Sequence, residues 1–274
     1  MAEALVVFGS KNDEPVYSRV MSELKANGIR AQLRICSAHR TPAMLEKIVA
    51  ESDAKIIVAG AGLSAALPGV IASKTTKPVI GVPVNSAFAG LDSLLSTVQM
   101  PYGFPVIATG VNRAEEAAAA VQLALGEHSI VKVTGNSYND EIKRQVEKIK
   151  PIANQLGLNF EFIESIDEST FNQKEEILVN VVELAGYSSP GLKQAIVLNV
   201  PMLKESSTPE ALELFEKSRQ GLWIGLNRVD NALLAAAQLL DIHSGKFREK
   251  ILAIRKELAD KVAEADKEAA KKGG

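Results

Sequence analysis

ALVVFGSKNDEPVYSRVMSELKANGIRAQLRICSAHRTP, residues 4–42, holds one full cycle of the rhythm that decides the fold. Residues 4–8 are an unbroken apolar run, short enough for a strand buried on both faces. Residues 14–27 switch to helical spacing, with Val16, Val20 and Leu24 on one face and Gly28 to close the helix. Residues 31–36 read as the next strand and 42–51 as the next helix. The alternation continues outward through a strand at 55–59, a Gly- and Ala-rich turn with a short helix through Ser73, and strands at 78–82 and 105–108. Helices between strands imply right-handed crossovers and a parallel sheet covered on both faces, an α/β fold. Ligands of such sheets sit at the carboxyl ends of the strands.

The pattern then repeats. GVNRAEEAAAAVQLALGEHS, starting at Gly110, returns as GLNRVDNALLAAAQLLDIHS, starting at Gly225. Upstream, the stretch from Ile130 (IVKVTGNSYNDEIKRQVEKIK) parallels the one from Leu5, with strand, Asn-Asp pair, helix and Gly recurring in order. The expected organisation is a first unit over 1–128, a shorter second copy over 129–243, and a C-terminal helix and tail over 244–274. In that tail Phe247, Ile251, Ile254, Leu258 and Val262 share one helical face, predicting a docked helix, with the last few residues disordered.

A chain of 274 residues accommodates two such units. With 46% hydrophobic and 23% charged residues and a net charge of −2, it carries no basic stripe of the kind that binds nucleic acid. No apolar run approaches the ~20 residues of a membrane span. A single cysteine, Cys36, excludes an internal disulfide, and its place in a strand suggests a buried small hydrophobe. The opening MAEALVVFGS lacks the charged region, long apolar core and cleavage site of a signal peptide, so the expected location is the cytoplasm. Three scattered histidines suggest no metal site, and GAGLSAALPG lacks the acidic partner of a dinucleotide loop; no cofactor is expected.

Four stretches carry candidate chemistry. Gly9-Ser10-Lys11-Asn12-Asp13 turns from a strand into a helix N-terminus, where backbone N–H groups, Ser10 and Asn12 can hold an anion; alternatively Asp13 merely caps the helix. Ser37-Ala38-His39-Arg40-Thr41-Pro42 sets a histidine able to exchange a proton near neutral pH beside an arginine suited to phosphate. The small residues of 59–69, including Gly62, Ser64 and Leu67, allow close approach of backbone to a ligand, or tight packing. GVPVNS (81–86), with Asp92-Ser93-Leu94 and Gln99-Met100-Pro101, is expected to form loops at the same sheet edge.

GSKND, SAHRTP, AGAGxxAALPG, GVPVNS and DSLLSTVQMPYGFPV, in this order and spacing, resemble the 5-(carboxyamino)imidazole ribonucleotide mutase family, the catalytic-subunit type of phosphoribosylaminoimidazole carboxylase. The resemblance covers the first unit. It implies a Rossmann-like (flavodoxin-like) three-layer fold and an oligomer, commonly an octamer, with active sites between subunits. It also implies a purine-biosynthetic reaction on an aminoimidazole ribonucleotide and carbon dioxide, without metal or cofactor. Ser10, Asp13 and Arg40 match substrate-binding positions, with Ser37 nearby, and His39 matches the acid/base histidine.

One departure is Ala66, where many of these mutases have histidine; a related branch that uses carbon dioxide directly has a Ser-Asn pair here, of which Ser64-Ala65 keeps the serine. The alternatives to a mutase are therefore a direct carboxylase and a silent nucleotide-binding homologue. In the second unit SAHRTP becomes Ser165-Ile166-Asp167-Glu168-Ser169-Thr170, without histidine or arginine. That unit is expected to be structural, so that four chains imitate eight subunits.

Overall fold

The computed structural model describes residues 2–203 and 207–272. The first half runs β1 (Ala4–Phe8), α1 (Glu14–Ala26), β2 (Ala31–Ile35), α2 (Pro42–Ala50), β3 (Ile56–Ala61), α3 (Leu67–Lys74), β4 (Val79–Pro83), α4 (Leu91–Val98), β5 (Ile107–Ala108) and α5 (Ala114–Ala124). The second runs β6 (Ile130–Thr134), α6 (Asp140–Leu156), β7 (Phe160–Ile163), β8 (Glu176–Glu183), β9 (Ile196–Met202), α7 (Thr208–Lys217), β10 (Leu222–Trp223), α8 (Val229–Ser244) and α9 (Arg248–Lys272).

Period-two alternation explains the layers in the first half. Ala4, Val6 and Phe8 point to a core shared with α1 and α5, whereas Leu5 and Val7 point to one shared with α2 and α3. The ten strands of the described residues form one sheet, ordered β2-β1-β3-β4-β5-β10-β9-β8-β6-β7. Each half is parallel and follows the same path, and they join antiparallel where Trp223 pairs with Ala108. The largest core runs through both halves, from α1 and α5 to α6 and α8.

The repeated Gly-x-Asn-Arg stretches occupy equivalent places. Asn112 (φ 59°) and Asn227 (φ 56°) both adopt the left-handed conformation. Asn112 N–H donates to Pro83 O and its Oδ1 accepts from Asn85 N–H; Asn227 N–H donates to Pro201 O and its Oδ1 accepts from Leu203 N–H.

The second half is thinner. Among the described residues no helix follows β7 or β8, where the first half has α2 and α3. Phe171, Leu178, Leu192 and Ala195 close that face instead, beside a Lys132–Glu176 ion pair of 2.9 Å.

Phe247, Ile251 and Ile254 dock α9 as expected, and Leu258 is partly buried. Val262 departs from the expectation: it is 71% exposed, and every described residue from 259 to 271 is exposed. The packed stripe therefore ends at Leu258, where the helix leaves the body. The described chain is helical to Lys272, and the final residues expected to be disordered, 273–274, lie outside the described residues. Among the described residues no helix is long and apolar enough to cross a membrane.

Candidate active site

The register sets the carboxyl ends of the first strands side by side: Phe8 pairs with Ile35 and with Gly60, and Gly60 with Val82. The motifs that follow these strands consequently share one edge. Gly60 has no room for a side chain because the Phe8 ring fills that space.

After β1, Gly9 N–H donates to Gly60 O at 3.0 Å. Ser10 Oγ accepts the Asn12 N–H at 3.1 Å, capping one 3-10 turn that leads into α1; Lys11 and Asn12 stay exposed. Asp13 makes no side-chain cap to α1 and is only 9% exposed, so capping is not its role. Burial pushes its carboxyl above the usual carboxylate range, opposed in part by the Ser10 backbone N–H and the Arg40 charge.

The turn after β2 is closed on itself. Thr41 Oγ1 accepts from Ser37 N–H and donates to Ser37 O, both at 3.1 Å, and Ser37 Oγ accepts from Arg40 N–H at 3.2 Å. Cys36 is buried, with Sγ 3.3 Å from Thr41 Oγ1. Arg40 reaches across and donates from Nη2 to Gly9 O at 3.0 Å, tying this turn to the first one. His39 stands in the turn, exposed.

The third loop packs against the fourth at Gly62, where a β-carbon would stand 3.3 Å from Ser86 Cβ. Ser64 is exposed with φ 50°. Leu67 turns its side chain into the core beneath Gly9 and is 2% exposed. Ser10, Asp13, Ser37 and Arg40 thus form one cluster, with His39 on it and Gly62 and Ser64 on the next strand end.

The fourth stretch splits. Asp92, Ser93 and Leu94 are not loop but the first turn of α4, where Ser93 Oγ donates to Val84 O at 2.8 Å. Gln99-Met100-Pro101 lies at the opposite edge, because α4 advances about 12 Å over its eight residues. There Gln99 Oε1 accepts from Leu226 N–H, and Asn231 Nδ2 donates to Met100 O and Pro101 O. Sequence reading passed over Leu63 (76% exposed) and Phe88 (82% exposed, φ 49°), apolar side chains on the rim of the cluster. Their only signal was bulk in loops otherwise built from small residues.

In the second half the equivalent turn is committed to itself. Asp167 Oδ1 accepts from Ser169 N–H and Oγ–H, which hold its carboxyl below the usual range, and Glu168 Oε1 accepts from Gly191 N–H at 2.8 Å. Among the described residues no group of three or more His, Cys, Asp or Glu is placed to hold a metal ion.

A sequence model described as AIR carboxylase matches residues 3–147, just over half of the chain. A Methanocaldococcus jannaschii protein named N5-carboxyaminoimidazole ribonucleotide mutase is 45% identical over 151 residues, 53% of this chain and 96% of that one. A Pyrococcus horikoshii protein of the same name is 40% identical over 157 residues, 56% of this chain and 89% of that one. The Candida glabrata phosphoribosylaminoimidazole carboxylase is 38% identical over 156 residues, 54% of this chain and 27% of its own length. A match that spans these strand-end turns, SAHRTP included, shows that the chain belongs to the AIR carboxylase family.

Proposed function

We propose that the chain is a purine-biosynthetic enzyme converting 5-(carboxyamino)imidazole ribonucleotide into 4-carboxy-5-aminoimidazole ribonucleotide. One juxtaposition carries this assignment: an exposed His39 on a turn that Arg40 ties to the Ser10–Asp13 turn, within the segment that matches the family. Arg40 and the side chains of Ser10 and Asn12 hold the phosphoribosyl end, with Asp13 and Ser37 beside them. Gly62, Ser64 and the backbone of Leu67 border the imidazole.

The exocyclic N–C bond breaks, the nitrogen takes a proton from protonated His39, and carbon dioxide is released in place. Ring carbon 4 then attacks it, a C–C bond forms, and His39 removes the proton left on that carbon. Carbon dioxide must be retained between these steps, which requires a closed pocket. His39, Arg40 and Ser64 are open in the single chain, with Leu63 and Phe88 exposed at the rim, so we assign closure to a second copy. The self-bonded acidic turn of the second half supports a structural role for it, four chains imitating eight subunits. A solution mass near 29.3 kDa would exclude that assembly.

Ala66 and the similarity to a protein named carboxylase favour one second reading, direct carboxylation of aminoimidazole ribonucleotide by carbon dioxide. Parallel assays decide. Turnover of the carboxyamino substrate at low bicarbonate establishes the mutase. Turnover only of aminoimidazole ribonucleotide with bicarbonate establishes the carboxylase, and product from neither refutes both.

A further inference from the structure

A cleft of about 1050 Å³ lies at the amino-terminal edge of the first half-sheet, on the side away from His39. The α2–β3 and α3–β4 turns form one wall, and α8 and α9 the other. Its cationic side chains are Lys55, Lys74, Lys77, Arg248, Arg255 and Lys256; its acids are Asp53 and Asp241. Lys74 is already paired with Glu46 at 3.0 Å, and Asp241 Oδ1 accepts the Phe247 N–H. Lys77 and Arg248 are close enough to repel. Desolvation lowers the Lys77 ammonium, Asp53 partly restores it, and Arg248 lowers it further.

Arg255 is 8% exposed. Its Nε donates to Gly103 O at 2.9 Å, its Nη1 to Thr75 O at 2.6 Å, and its plane lies 4.7 Å from the centre of the Phe104 ring. Its Nη2 is buried without any partner, and among the described residues no carboxylate lies within ion-pair distance of the group. Burial brings the guanidinium down to about 10. A buried guanidinium without an anion is costly, and its two unpartnered Nη2 N–H groups can donate to a phosphate oxygen.

We propose that this cleft binds a small molecule bearing two or more phosphate groups. Lys77, Arg248 and Lys256 attract it, and Arg255 at the back receives one phosphate. Several unpaired cations across the cleft call for a multivalent anion rather than a single carboxylate. The site joins α9, which lies outside residues 3–147, to the first half, so bound ligand clamps the tail helix to the catalytic half.

The test is calorimetric titration of the full chain with inorganic tripolyphosphate at low salt. Saturable binding of one per chain is expected, with a rise in Tm. Arg248→Met with Lys256→Met, both at exposed positions, should weaken binding about tenfold or more by removing two charge-assisted contacts. Arg40→Met should leave it intact. Absence of saturable binding, or binding indifferent to the double change, overturns the proposal. So does binding abolished by Arg40→Met, which would place the phosphates at the carboxyl edge instead.

Discussion

The α-carbon of Gly110 lies against the carbonyl oxygen of Ser218, at the end of α7, where any β-carbon would overlap that oxygen. Gly225 repeats the relationship from the other half, where a β-carbon would stand 2.9 Å from Val98 O at the end of α4. Each half thus presses a glycine on the other's helix end. Gly110→Ala should cost about 3 kcal/mol, since backbone cannot yield as a flexible side chain does, and Gly225→Ala about 1–2 kcal/mol. Urea unfolding of the two variants gives the order, and equal small losses would contradict the packing.

His39→Asn should lower turnover by about 10²–10⁴-fold while leaving stability unchanged, because the ring is exposed. Rates and Tm measured on the same preparation separate loss of chemistry from loss of fold.

Arg40→Lys keeps the charge but gives up the planar fork that spans Gly9 O and a ligand. A rise in KM of about tenfold is expected from the weakened charge-assisted bonds, with a smaller effect on kcat. A change confined to kcat would remove Arg40 from substrate binding.

Asn231 is 1% exposed and serves both halves: Oδ1 accepts from Gly103 N–H, and Nδ2 donates to Met100 O and Pro101 O. Asn231→Leu leaves Gly103 N–H and Met100 O without partners, while Pro101 O keeps the Phe104 N–H, and should destabilise by about 2–4 kcal/mol. Denaturant unfolding reads the loss.

His128 donates from Nε2 to Leu123 O at 2.8 Å, since a carbonyl can only accept, and Nδ1 is then buried without a partner. Desolvation lowers its pKa below the ordinary 6.5, with the Leu123 carbonyl opposing and His243 adding to the drop. The unfolded chain then binds this proton more readily, so its contribution is lost as pH falls from about 6.5 toward the lower folded value. Stability against pH should decline less steeply over that interval in His128→Gln, and parallel curves would rule out this source.

The alternation at 4–42 was legible because strand and helix periods are local properties of the chain. The same periods placed GSKND and SAHRTP at one edge, since every parallel strand delivers its following loop to the same side. The Gly-x-Asn-Arg repeat at Gly110 and Gly225 sets Asn112 and Asn227 in matching left-handed turns. Local period said nothing about Val262, whose place on the apolar face of α9 is fixed by sequence while its burial depends on how far the body extends beneath it.

The sequence by itself therefore determined the alternation of strands and helices in the first half and the turns GSKND and SAHRTP at its carboxyl edge, while the strand order came from the structure. Only the tertiary structure decided that one sheet runs through both halves, because the joint is a two-residue strand on each side, too short for any periodic signal. It also carried Gln99-Met100-Pro101 to the far edge along α4 and buried Asp13. It left Arg255 without an acid as well. Burial and pairing of that kind are set by residues distant in the chain, and no local pattern records them.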